Sequence, residues 1–179
     1  ANGWPLPSMK EHFSEKLASG AMPIANILIV DDVPQNLVAI EALLRSETLH
    51  ILKATSGAEA LELLLVHDVA LALLDVQMPE MDGFTLAELM RGSQRTRDVP
   101  IIFLTASPND PTRSFQGYES GAVDFLYKPI DPHAIQSKVN VFIELYRNRV
   151  LLRTRNEMLE RALKLNETMI AVLTHDRRT

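Results

Sequence analysis

The chain of 179 residues contains no cysteine. That excludes disulfides, thiolate zinc sites and a cysteine nucleophile, and it fits a reducing compartment. Long hydrophobic runs are missing too. The most apolar stretch, Val69 to Leu74, is bracketed by Asp68 and Asp75, far short of the roughly 20 residues that span a bilayer. No signal-peptide pattern opens the chain, since Trp4-Pro5-Leu6-Pro7-Ser8 precedes a charged stretch from Lys10 to Lys16. A cytoplasmic protein without membrane contact is the expectation. Positive charge is scarce over residues 1–130, which carry 9 basic and 17 acidic side chains for a net of −8. An acidic body of this kind does not suit a nucleic-acid-binding surface. Residues 131–179 carry 9 basic and 6 acidic side chains, a net of +3, but the two signs are interleaved and read as a solvated helix. What is abundant is ordinary: 46% hydrophobic and 23% charged residues, enough for one domain with a packed core plus an appendage. Whole-chain disorder, collagen and a disulfide scaffold are excluded.

Residues 1–23 show no clear pattern and are expected to be an N-terminal extension or a cloning remnant, with Met9 as a natural start and a short helix over Lys10 to Leu17. From Ile24 the pattern alternates. Ile27-Leu28-Ile29-Val30 is a short apolar run ending at Asp31-Asp32 and reads as a strand buried on both faces. Pro34 suits the first turn of a helix carrying Leu37, Ile40, Leu43 and Leu44 at helical spacing. His50 to Ala54 reads as a second strand, and Ser56 with Glu59 three residues on reads as the cap of a second helix. Val69 to Leu74 is a third strand ending at Asp75, followed by a loop broken by Pro79 and Gly83 and a helix over about Phe84 to Met90. Val99 to Leu104 is a fourth strand ending at Thr105, then a weaker helix runs from Asp110-Pro111 to Tyr118 and stops at Gly121. Ala122 to Tyr127 is a fifth strand ending at Lys128-Pro129, and a long helical segment starts at Asp131-Pro132. Strands alternating with helices predict an α/β domain with a parallel sheet.

Ligands bind beyond the carboxyl ends of the strands in such sheets. Those ends carry Asp31, Asp32, Asp75, Thr105 and Lys128. Three carboxylates on one rim repel unless a cation joins them, and hard oxygen donors favour Mg2+, which also binds phosphate oxygens. Asp75 is then a candidate nucleophile towards phosphorus, with Lys128 neutralising the incoming oxygens and the Thr105 hydroxyl donating to one of them. Plainer roles exist for several of these residues. Asp31 and Asp32 serve equally as a solvated strand end or a helix cap, Thr105 as a strand-end cap, Lys128-Pro129 as a turn, and period-2 burial alone explains Phe125. Met78 and Met81 read as loop packing, and Pro79-Glu80-Met81-Asp82-Gly83 as a turn in which Gly83 frees the backbone.

Four pieces in order, Ile29-Val30-Asp31-Asp32, Leu74 to Gly83, Phe103-Leu104-Thr105-Ala106 and Ala122 to Pro129, resemble the receiver domain of two-component response regulators over about Ala25 to Glu144. The resemblance implies a doubly wound sheet in the flavodoxin-like order 2-1-3-4-5. It implies phosphorylation at Asp75, with Mg2+ held by Asp31, Asp32, Asp75 and the backbone carbonyl of Gln77. It further implies Thr105 and Phe125 as a switch pair, and a histidine kinase or phosphotransfer protein as phosphodonor, or a small phosphodonor in its place. Such a receiver catalyses its own phosphorylation and dephosphorylation. Gln77 and Phe125 depart from the family's commoner Asn and Tyr, and Phe125 has no hydroxyl, so it switches by packing alone. A haloacid-dehalogenase-type phosphatase also uses an aspartyl nucleophile, but it needs an acid where Gln77 stands.

In the tail, Leu145, Leu152, Leu159, Asn166 and Leu173 recur every seven residues, interleaved with Arg149, Asn156, Leu163 and Ile170. That spacing predicts a coiled coil, with Asn156 and Asn166 setting register, against the plainer alternative of a lone amphipathic helix folded onto the body. The expectation is a parallel homodimer in which residues 131–179 prolong the last helix of a receiver core over 24–130 into an output domain. Met169 to Thr179 resembles the phosphoacceptor box of histidine kinases, which makes His175 a candidate second phosphoacceptor beside Asp176. Arg177 replaces the usual Leu of that box. No ATP-binding domain is expected within these residues, so a kinase piece of this extent is not expected to phosphorylate itself from ATP. A hybrid histidine kinase is the favoured parent; a diguanylate cyclase output and a phosphorylation-independent dimer module are the alternatives.

Overall fold

In the computed structural model, residues 20, 22–106 and 124–176 are described. The expected short helix over Lys10 to Leu17, the helix over Asp110 to Tyr118 with its stop at Gly121, and residues 177–179 of the kinase-like box lie outside the described residues. The elements are β1 (Ala25–Val30), α1 (Pro34–Leu44), β2 (Leu49–Ala54), α2 (Gly57–Val66), β3 (Leu71–Asp75), α3 (Gly83–Gly92), β4 (Ile101–Thr105), β5 (Asp124–Tyr127) and α4 (Pro132–Asp176). The five strands form one parallel sheet in the order β2-β1-β3-β4-β5. This is the expected α/β architecture.

Local chemistry accounts for the elements. Pro34 stands in the first turn of α1, where its missing N–H costs nothing. Ser56 caps α2 by accepting from Glu59 N at 3.1 Å. The reciprocal bond of the expected capping box reaches one residue further back: Glu59 Oε2 accepts from Thr55 N at 3.0 Å and Thr55 Oγ1 at 2.8 Å. Asp82 caps α3, accepting from Thr85 N at 2.7 Å. Strands β3 and β4 are buried along their whole length, as expected of a parallel sheet covered on both faces. One core collects Leu28, Val30, Leu74 and Phe103 with Ala60 and Leu64 of α2 and Phe84, Leu86 and Met90 of α3. The alternate strand residues, such as Ile27, Ile29, Leu73 and Leu104, project to the other face by the period of 2 and are also fully buried. On that side α4 is tied to α1 by Gln136 Nε2 donating to Leu43 O at 3.0 Å, and to β5 by the Lys138–Asp124 ion pair at 2.5 Å.

The chain divides after Glu144, with Met22–Glu144 as one compact unit. Within it α4 buries Ile135, Val139 and Ile143 at four-residue spacing. From Leu145 to Asp176 the helix continues unbroken and no residue is buried. Among the described residues, no helix is long and apolar enough to cross a membrane.

Candidate metal and phosphoryl site

The carboxyl ends of β1, β3, β4 and β5 lie side by side because the order β2-β1-β3-β4-β5 makes β1, β3, β4 and β5 successive neighbours. Asp31 and Asp32 follow β1, Asp75 closes β3, Thr105 closes β4, and Lys128 follows β5. One carboxylate oxygen from each of Asp31, Asp32 and Asp75 falls within 4.8 Å of the others. Lys128 Nζ donates to Asp31 Oδ2 and to Asp75 Oδ1, both at 3.2 Å. Pairing of β4 with β5 places this lysine, since Thr105 stands opposite Tyr127 and Lys128 N donates to Thr105 O at 2.8 Å.

Asp31 is fully buried, which removes the solvated strand-end reading. Its helix-end role is real and coexists with the site. Val33 is the N-cap residue of α1 and offers no side-chain bond of its own. Instead Asp31 Oδ1 accepts from Val33 N at 2.9 Å, and Oδ2 from Asn36 Nδ2 at 3.1 Å. Asn36 is a positioning residue that the sequence reading missed. Its only signal was a place in the first turn behind Pro34, five residues after Asp31.

Asp75 is 6% exposed. Burial first, then the neighbouring Asp31 charge, push its carboxyl above the usual range, with Lys128 offsetting part of the rise. For Lys128, burial acts to lower the ammonium. Asp75 and Asp31 outweigh it and hold the group above its ordinary value. Three crowded carboxylates and one ammonium leave negative charge in excess, and all the anionic donors are hard oxygens. This donor set fits Mg2+.

The loop after β3 closes on Asp75. Gly83 N donates to Val76 O at 3.0 Å, and Val76 N to Leu104 O at 3.0 Å. The need for glycine at 83 differs from the expected one. Its φ is not in the left-handed region; instead a Cβ there would stand 2.3 Å from the backbone oxygen of Asp75. The left-handed residue of the loop is Glu80, with φ 67°. Met78 and Met81 pack on the core, as the sequence suggested, and Met81 covers Gly57. Gln77 is exposed, two residues beyond Asp75.

Thr105 is buried at the rim. Phe125 is buried two register pairs further down the sheet, its ring 5.6 Å from Phe103, which in turn meets Phe84 edge-on at 4.7 Å. Tyr127 is 44% exposed. His175 is exposed near the end of α4, far along the helix from its buried turns.

Comparison with known proteins agrees with this geometry. Residues 27–140 match the family described as the response regulator receiver domain. A probable cyclic di-GMP phosphodiesterase of Vibrio cholerae is 37% identical over 134 residues, which are 75% of this chain and 30% of that protein. Response regulator PleD of Caulobacter vibrioides is 40% identical over 115 residues, 64% of this chain and 25% of the relative. The chain thus spans less than a third of the length of these two relatives. Among solved structures, the receiver domain of sensor histidine kinase PA1611 from Pseudomonas aeruginosa, with a magnesium ion in its active-site cleft, is 30% identical. Its TM-score is 0.62, over 68% of this chain and 98% of that one.

Proposed function

Because this chain belongs to the response regulator receiver domain family, we propose that it takes a phosphoryl group on Asp75 and passes the change to an output through its C-terminal helix. The observation that carries this reading is the ammonium of Lys128 bridging Asp31 and Asp75 at 3.2 Å beside a three-carboxylate cluster. Asp31, Asp32, Asp75 and the backbone carbonyl of Gln77 hold Mg2+, which, when bound, neutralises phosphoryl oxygens. An Asp75 oxygen attacks phosphorus and the P–N bond of a donor phosphohistidine breaks, its imidazole leaving with a proton. Acetyl phosphate serves equally, losing acetate from its P–O bond. Lys128 is freed from part of its carboxylate pairing to bind the transferred group, and Thr105 donates its hydroxyl to another phosphoryl oxygen. Water then attacks phosphorus, releasing inorganic phosphate and restoring the carboxylate.

Thr105 and Phe125 form the switch. Phe125 lacks a hydroxyl, so its position is read out through packing against Phe103. The tail forms a parallel homodimer that leads to a histidine kinase output in the cytoplasm, with His175 as second phosphoacceptor. A cyclic di-GMP output is the second reading, favoured by the name of the Vibrio relative, which matches across 134 residues. The protein incubated with Mg2+ and acetyl phosphate should gain one phosphoryl group by intact mass. The gain should vanish in Asp75→Asn and with a chelator; a folded, Mg2+-loaded protein that gains nothing from either acetyl phosphate or a phosphohistidine donor overturns the phosphoacceptor reading. Supplied with ATP and a separate kinase catalytic domain, the kinase reading expects acid-labile, alkali-stable label that disappears in His175→Gln.

A further inference from the structure

The tail helix presents more than a stripe of leucines. Its seam assigns Leu152, Leu159, Asn166 and Leu173 to heptad position d, and Asn156, Leu163 and Ile170 to position a. Arg155 then stands at g and Glu160 at e. Both are exposed. Neither has an ion-pair partner among the described residues. Lys164 stands one turn from Glu160, whereas Arg155 has only Leu151, Leu152, Met158 and Leu159 at that distance along its own helix. In a parallel two-stranded coil each g residue faces the e residue five positions on in the other strand.

We infer that two copies of this chain pair in parallel and in register, with Arg155 of each copy opposite Glu160 of the other. This rests on the proposed parallel tail dimer and adds its register and the charge pair that sets it. The two ion pairs form together by symmetry. In this register no facing g and e positions carry like charge: the remaining pairs are Asn148 with Arg153, Ala162 with Glu167, and Met169 with Thr174. Asn156 meets its own copy across the seam, the arrangement by which a polar a position selects one alignment. The competing arrangements lose these features. A slip of one heptad sets one Arg155 against Arg153 and the other against Glu167, so one of the two ion pairs is replaced by a like-charge contact, and it separates the two Asn156 side chains. The antiparallel arrangement that matches Asn156 with Asn166 sets Glu160 against its own copy and leaves Arg155 beside Met169.

Sedimentation equilibrium on the whole chain tests this. Arg155→Glu creates two like-charge contacts and is expected to weaken the dimer about tenfold, while Arg155→Glu with Glu160→Arg brings it back to within about threefold of the parent. The chain lacks cysteine, so Ile170→Cys introduces a single thiol, expected to cross-link to its own copy under mild oxidation. A dimer that Arg155→Glu leaves unchanged, or in which Ile170→Cys fails to cross-link, overturns the parallel register while leaving the dimer standing. A chain that stays monomeric at the highest concentration reached overturns the tail dimer itself. Circular dichroism at matched concentration shows that each variant keeps the helical content of its parent fold.

Discussion

Ile135, Val139 and Ile143 on α4 are 0–3% exposed, whereas Leu152, Leu159 and Leu163 on the same helix are 60–62% exposed. The same kinds of side chain recur at helical spacing in both regions, with opposite fates. In the first region the four-residue step matches a single narrow contact with the body, and the chain itself supplies the cover. In the second the steps alternate four and three, the leucines are exposed, and the stretch lies outside the compact unit Met22–Glu144. Isolated helices gain little stability from propensity alone, and the proposed tail dimer would supply the cover that this apolar stripe lacks. The comparison teaches that the body's core is covered within one chain; if the tail pairs as proposed, its stability depends on concentration while the body's does not.

The largest break in this comparison comes from the body's core. Phe103→Ala removes a fully buried ring between Phe84 and Phe125 and should cost about 3–5 kcal/mol in urea unfolding. The loss should be independent of protein concentration. Next comes the cation: with free Mg2+ at about a hundred times its dissociation constant, the body should gain about 2.7 kcal/mol. Thermal unfolding reads this gain, and Asp75→Asn should remove most of it. Gly83→Ala sets a Cβ 2.3 Å from the Asp75 backbone oxygen. It should cost about 1–3 kcal/mol by overpacking and weaken Mg2+ binding with it.

The reasons the body was readable are physical. Ile27 to Val30 and Leu71 to Leu74 are apolar on every residue, which only a sheet covered on both faces tolerates, and each run ends on a carboxylate. That pattern located the strands and the rim carrying Asp31, Asp75, Thr105 and Lys128, while their order in the sheet was implied by the family resemblance. What escaped the sequence depends on tertiary approach. Gly83 looks like a turn residue, yet its need comes from the backbone of Asp75, the end of a strand eight residues earlier in the chain. Asn36 looks like an ordinary helix residue until Asp31 is seen to lack a solvent partner. Strand starts shifted as well: β3 begins at Leu71 rather than Val69, a shift of the size usual at element ends, with Ala70 N still bonding across to Asn26 O at 2.8 Å. The tail's seam was legible as a period, and the structure leaves its leucines exposed.

A smaller effect separates the metal-free site from its surroundings by pH. The Asp75 carboxyl is raised in the folded protein, by burial and then by Asp31. A raised acid favours folding below its unfolded value and loses that contribution as pH rises through the folded one. Without Mg2+, Asp75→Asn should therefore melt higher than the parent at neutral pH, with the difference shrinking towards acid. Mg2+ should reverse the order at neutral pH, since it favours the ionised carboxylate. Lys128, also raised, holds its contribution until alkaline pH, so it leaves the acid limb unchanged. A parent that melts higher than Asp75→Asn in chelator at neutral pH would contradict the burial argument.

The smallest expected change in the body's stability sharpens the comparison most. Leu159→Ser removes an apolar side chain of the same size as Leu104, but Leu159 is 62% exposed and Leu104 is fully buried. At low micromolar concentration the body's unfolding should move by less than about 0.5 kcal/mol, as for a surface substitution. The dimer constant measured by sedimentation should fall by about tenfold or more, because a seam leucine is lost from both strands at once. Phosphorylation of Asp75 by acetyl phosphate should proceed unchanged, since every group at that site belongs to the body. If Leu159→Ser instead lowers the body's stability by several kcal/mol, the tail is covered by its own chain and the division of α4 into two regimes fails.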